Sequence, residues 1–129
     1  MKFSIEREVL IRMVTSSCGK PRGKKGKKLH LNLSACAARV FVTGPMMTAG
    51  HEALVFSDGH CELRAVMFLE ILKSYSAKQI LIIEVNDLGL HVEKSIVPIS
   101  FLSRYVTPPG NFTVYPVTDL QVLGNPTQP

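Results

Sequence analysis

KFSIEREVLIRMV, residues 2–14, changes its hydrophobic period halfway along. From Lys2 to Glu6 apolar and polar residues alternate, with Phe3 and Ile5 on one side and Lys2, Ser4 and Glu6 on the other. That two-residue period is a half-buried strand. From Arg7 the period becomes helical. Val9, Leu10, Met13 and Val14 share one face, while Glu8, Arg12 and Thr15 lie on the other. The pattern predicts a helix over about 7–16, closed by Cys18-Gly19 with Gly19 as its C-terminal cap.

The same sequence of events recurs. Cys61–Ala65 reads as a short strand and feeds a second helix, about Val66–Ser76. In that helix Phe68, Ile71, Leu72 and Tyr75 form one buried stripe, with Glu70, Lys73 and Ser74 turned away. After each helix come three alternating segments. They are Leu29–Ser34, Ala38–Thr43 and Gly50–Phe56 in the first half, and Lys78–Asn86, Leu90–Val92 with its neighbours, and Ile96–Ser100 in the second. Gly44-Pro45, Ser57-Asp58-Gly59-His60 and Asn86-Asp87-Leu88-Gly89 turn the chain between them. The order is a βαβββ unit twice, with halves of about 2–56 and 61–100. It predicts an α+β fold, two helices packed across antiparallel sheets, as one domain over residues 1–100. Ala38–Thr43 and Lys78–Asn86 are expected as edge strands open to pairing. Residues 101–129 differ, with five prolines in the last twenty-two positions, and read as a Pro-rich C-terminal arm that packs on this domain or a neighbouring copy.

Between the first helix and the next strand lies GKPRGKKGKK, residues 19–28. Six of its ten residues are cationic: Lys20, Arg22, Lys24, Lys25, Lys27 and Lys28. The whole chain has fifteen Lys and Arg against ten Asp and Glu, so outside this stretch nine basic residues face ten acidic ones. The net charge of +5 therefore belongs to one segment. Three glycines, a proline and mutually repelling lysines predict a flexible loop in solvent. Such a loop suits a polyanion. It holds no aromatic residue for base stacking and no Asn or Gln, so contact would run to phosphates without base specificity. Arg22 is the residue suited to bidentate phosphate contact.

The remaining chemistry is thin. Cys18, Cys36 and Cys61 are odd in number and unpaired in spacing, which argues against a disulfide framework. No C-x-x-C or H-x-x-x-H occurs, and no metal or cofactor is expected. No serine has the G-x-S-x-G setting, and no carboxylates pair at a spacing suited to acid/base work, so no catalytic residue is assigned. GKKGKK lacks the Ser or Thr that a phosphate-binding G-x-x-x-x-G-K-[ST] loop requires. The charged N-terminus resembles no signal peptide, and no uncharged apolar run is long enough for a bilayer. A soluble, cytoplasmic protein without membrane contact is expected.

MKFSIEREVL, residues 1–10, resembles the opening of the bacterial DNA polymerase III beta subunit, the sliding clamp family. Its members commonly start with a Met-Lys-Phe strand, an acidic-basic turn and an apolar helix. FLEILKSYSAKQILIIEVNDLGLHVEKSIVPIS, residues 68–100, is similar to the closing half of a clamp domain. The resemblance implies a DNA-clamp-like fold with the helices on the inner surface of a ring and the sheets outside. It implies a non-catalytic, self-associating protein that encircles or contacts double-stranded DNA without reading sequence, with polymerase or repair proteins as partners. Lys20, Arg22, Lys24, Lys25, Lys27 and Lys28 would then touch phosphates from the loop after the first helix. Arg12 and Lys73 would add weaker contacts from the helix faces. The chain departs from the family in holding one domain, and in helix faces whose charges cancel, Arg12 beside Glu8 and Lys73 beside Glu70. Those departures fit the alternative, a protein-interaction or assembly domain that has the fold but does not encircle DNA.

Overall fold

The computed structural model describes residues 1–19 and 28–114. The elements run β1 (Lys2–Glu6), α1 (Arg7–Cys18), β2 (His30–Cys36), β3 (Arg39–Thr43), β4 (Thr48–Glu52), β5 (Leu54–Ser57), β6 (Gly59–Arg64), α2 (Ala65–Lys73), β7 (Ile80–Asn86), β8 (Gly89–Val92), β9 (Ser95–Val97), β10 (Ile99–Ser103) and β11 (Thr113–Val114). They form two sheets, one ordered β5-β1-β7-β8-β9 and the other β10-β6-β2-β3-β4-β11.

These two orders are the same order. Replacing each of β1–β5 by its counterpart in β6–β10 converts the first sheet into the second, with β11 added at one end. The duplicated unit is thus a pseudo-two-fold in which each half lends strands to both sheets. Backbone bonds at the helix starts repeat it: Arg7 N–H donates to Gln79 O at 2.9 Å, and Ala65 N–H donates to Leu29 O at 2.9 Å.

Two expected strands divide. Gly50–Phe56 is read as one strand, but the chain leaves one sheet at Ala53 and joins the other, giving β4 and β5. Ile96–Ser100 likewise divides at Pro98, giving β9 and β10. Proline has no N–H for a ladder, so a sheet change there loses nothing. The expected edges are also corrected. β3 lies between β2 and β4, and β7 between β1 and β8, so neither is free to pair with another chain. Strong alternation marks a strand with one buried face and does not say whether its two flanks are occupied.

The inward faces of both sheets and the helices enclose one core that includes Phe3, Leu10, Met13, Leu31, Leu33, Phe68, Leu72, Leu81, Ile83 and Leu90. α1 packs against α2 and across β3 and β4. Arg7 ties the start of α1 to the end of α2, its Nε donating to Leu72 O at 2.9 Å and its Nη2 to Lys73 O at 3.3 Å. The other end of α1 is fixed to the β3–β4 loop. Ser17 Oγ donates to Val42 O at 2.9 Å, and Met46 N–H donates to Ser17 O at 2.8 Å. Gly19, at φ 73°, caps α1 by donating its N–H to Thr15 O at 2.8 Å.

A second, smaller cluster lies on the outer face of the six-stranded sheet. Cys36, Phe41 and Phe112 are buried together, with Val106 and Val114 against them. After β10 the chain crosses from one edge of this sheet to the other, and β11 then adds in parallel to β4.

Candidate nucleic-acid interface

Of the predicted phosphate contacts, Lys20, Arg22, Lys24, Lys25 and Lys27 lie outside the described residues. Their two anchors are described. Gly19 ends α1, and Lys28 is exposed just before β2. Lys28 O accepts a hydrogen bond from His30 Nδ1 at 2.8 Å, and Leu29 O holds the start of α2. The connection therefore leaves from the end of α1 and returns beside the beginning of α2. Its pseudo-two-fold counterpart, between α2 and β7, spans residues 74–79, whereas this one spans 19–29. The extra length is glycine and cations.

Two further polar side chains stand where the connection returns, and sequence reasoning missed them. His30 and Arg64 are register partners on β2 and β6, and both are exposed. Arg64 has no ion pair among the described residues. His30 follows Lys28 by two residues, and the sheet register brings Arg64 to it.

The helix faces behave differently. Arg12 is spent locally, its Nη2 2.9 Å from Glu8 Oε1 one turn earlier. Lys73 is exposed at the last turn of α2, where a cation suits the helix dipole, with Glu70 exposed one turn before it. The exposed helix surface thus carries both signs of charge.

No reactive centre stands out among the described residues. Burial pushes the Cys18 thiol up to about 11 and the Cys61 thiol up to about 12. Cys36 is raised too, by burial and then by the charge of Asp58. All three stay protonated near neutrality, the opposite of a nucleophilic thiolate. His60 is engaged with Asn32, Nε2 to Oδ1 at 2.9 Å, on a strand whose next residue, Cys61, points into the core. No group of three or more His, Cys, Asp or Glu among the described residues could hold a metal ion. No helix of the described residues is long and apolar enough to cross a membrane.

No protein-family model and no curated protein matches the chain. Solved structures do. The Caulobacter crescentus beta sliding clamp aligns with a TM-score of 0.64 at 18% identity, over 78% of this chain and 30% of that one. The DNA polymerase III subunit beta from Pseudomonas aeruginosa gives 0.63 at 16% identity, over 86% and 34%. The Helicobacter pylori beta clamp bound to a DNA ligase peptide gives 0.61 at 18%, over 78% and 30%. The chain spans about a third of the length of these proteins. The likeness fixes the architecture: two helices and two sheets arranged as in one domain of a bacterial sliding clamp.

Proposed function

We propose that this chain is a non-catalytic, clamp-type module that holds duplex DNA by its phosphates without reading sequence. Lys20, Arg22, Lys24, Lys25, Lys27 and Lys28 supply the charge, and Arg64 and His30 flank the point where their segment rejoins the sheet. The observation that carries the reading is the concentration of the entire positive excess in one α-to-β connection that is longer than its internal counterpart. Polyanion binding driven by counterion release needs such a cluster and no catalytic group. Arg12 and Lys73 contribute less, because each shares its helix face with a glutamate. Self-association and polymerase or repair partners are part of the same proposal. They are supported by the clamp-like fold and by the ligase peptide named with the H. pylori clamp.

The rival reading is a protein-interaction module without encirclement. The Glu8–Arg12 pair favours it, since a helix face meant to line a DNA channel would not neutralise its own cation. Duplex binding measured across a salt series separates the two. If all six cations touch phosphates, log K falls against log salt with a slope of about −5. Changing Lys24, Lys25, Lys27 and Lys28 to Ala brings the slope to about −2 with a matching loss of affinity. An unchanged slope in a folded variant refutes the DNA reading. Light scattering with and without duplex tests encirclement: growth to a six-domain assembly on DNA supports it, and a monomer indifferent to DNA refutes it.

A further inference from the structure

Phe112 occupies a seat shaped for an aromatic ring. It meets Phe41 edge to face, with centroids 4.9 Å apart and planes at 79°. The Arg39 guanidinium stands 5.5 Å from the ring centroid. Gly50 forms the floor, and a Cβ there would come within 2.6 Å of the Phe112 ring. The backbone that follows adds parallel to β4, placing Thr113 opposite Ala49 and Val114 opposite Gly50. The seat is particular to this edge. In the other sheet the related row is Glu84, His91 and Ile96, with an isoleucine where Gly50 would be.

Among the described residues the seat is half satisfied. Arg39 Nη1 is buried with no hydrogen-bond partner among the described residues. Its Nη2 is a loose 4.0 Å from Glu52 Oε1. A buried guanidinium donor without an acceptor is costly, and a carboxylate is the acceptor that fits it best.

We propose that the β4 edge is a binding site for an extended peptide of a partner protein, added parallel to β4. An aromatic side chain fills the Phe112 seat, and a carboxylate four residues further on reaches Arg39 Nη1. The spacing follows from the register. Alternate residues of a strand face one side. The outward residue two after the ring lies by Gly50, as Val114 does, and the next outward residue meets the row formed by Arg39 and Glu52. In this chain's sequence the fourth residue after Phe112 is a proline, which has no carboxylate side chain. Phe112–Val114 thus fill the aromatic half of the site in cis, and a peptide with both features displaces them. Main-chain pairing supplies the docking and the two side chains the selectivity.

The test uses the full chain and no DNA, so its outcome is separate from that of the phosphate-binding reading. The probes are two labelled peptides, GNFTVYE and GNFTVYQ, followed by fluorescence anisotropy. The Phe112→Ala chain, its own ring removed, binds the Glu peptide about tenfold or more tightly than the Gln peptide. The wild-type chain keeps the preference but binds both more weakly, because its own segment competes. Arg39→Gln in the wild-type chain, with Phe112 retained, erases the preference. Gly50→Val in the Phe112→Ala chain abolishes both complexes by filling the floor. Equal affinity for the two peptides, or absence of binding by a folded Phe112→Ala chain, overturns the proposal. So does a doubling of mass without peptide that Phe112→Ala removes, since a second copy's own segment would then be the occupant.

Discussion

Replacing Phe112 by Ala has a cost that the structure bounds on both sides. The ring is 4% exposed, and returning it to water costs about 2–3 kcal/mol. The edge-to-face contact with Phe41 and the cation–π contact with Arg39 add about 1 kcal/mol each. No cavity term applies, because the seat opens to solvent once the ring is gone. Against these stands the entropy regained when the covering segment loosens, about 1 kcal/mol or more for each freed residue. The small cluster of Cys36, Phe41 and Phe112 is separate from the main core, so the segment can detach while the rest stays folded. The net loss is therefore capped at the docking free energy of the segment, about 2 kcal/mol, which lowers Tm by roughly 6–10 °C. Urea titration gives the magnitude, and hydrogen exchange gives the location. Amides of Thr113, Val114 and the outer flank of β4 lose protection, while those of Leu33 and Leu63 in the middle of the sheet keep it. A loss above about 5 kcal/mol, or protection lost equally in β2 and β6, refutes the separation of the two clusters.

The β2–β3 hairpin turns through Ala37 and Ala38 at φ 52° and 58°, a conformation that costs an L-residue about 1–2 kcal/mol. Ala38→Gly is expected to raise the urea midpoint by about 0.5–1 kcal/mol of stability at unchanged m, after the glycine's extra unfolded-state entropy is counted. An unchanged or lower midpoint contradicts the turn. Folded-state thiol pKa values of about 11 for Cys18 and about 12 for Cys61 lie above the usual 9.0. The unfolded chain therefore releases these protons first, and stability present below pH 9 falls as pH rises from 9 towards 11. Urea midpoints at pH 8 and pH 10 measure this, and equal midpoints contradict it. Arg7→Gln removes one partly buried and one exposed donor from the end of α2 and is expected to cost about 1–2 kcal/mol. A neutral effect in thermal melts places Arg7 in solvent instead.

The period change at Arg7 made the β1–α1 junction readable to the residue, and Gly19 announced the end of the helix because few other residues tolerate its φ. The doubled βαβββ order followed from the same signals. What the pattern could not carry is which sheet a strand joins. Val55 and Phe56 alternate just as Ala49 and Gly50 do, yet they lie on the other side of the chain's bend at Ala53. Edge and centre are equally invisible, which is why β3 and β7 were expected at the margins. Near the site, Lys28 was legible from composition. Arg64 and His30 were not, because they are 34 residues apart and meet only through the pairing of β2 with β6. Phe112 alternates with Val114 in the arm expected to pack on this domain or a neighbouring copy, but nothing in the sequence says which sheet edge it would meet. The best sequence hint to it was Gly50, a glycine inside a strand, which often marks the close approach of another group.

The exchange of strands between sheets makes the two halves mutually dependent. A chain cut between Ser57 and Gly59 yields two fragments, and neither holds a complete sheet. The first has β2, β3 and β4 for one sheet but only β1 and β5 for the other, and the second has the converse set, with β11 besides. Each fragment leaves Phe3 or Phe68 without its opposite wall. Folding of the core is accordingly a joint event that waits on contacts between distant parts of the chain, slow by topology and all-or-none in outcome. Two cut fragments would regain structure only by finding each other, as two subunits do. In that sense the molecule is a dimer held in a single chain, joined at Asp58.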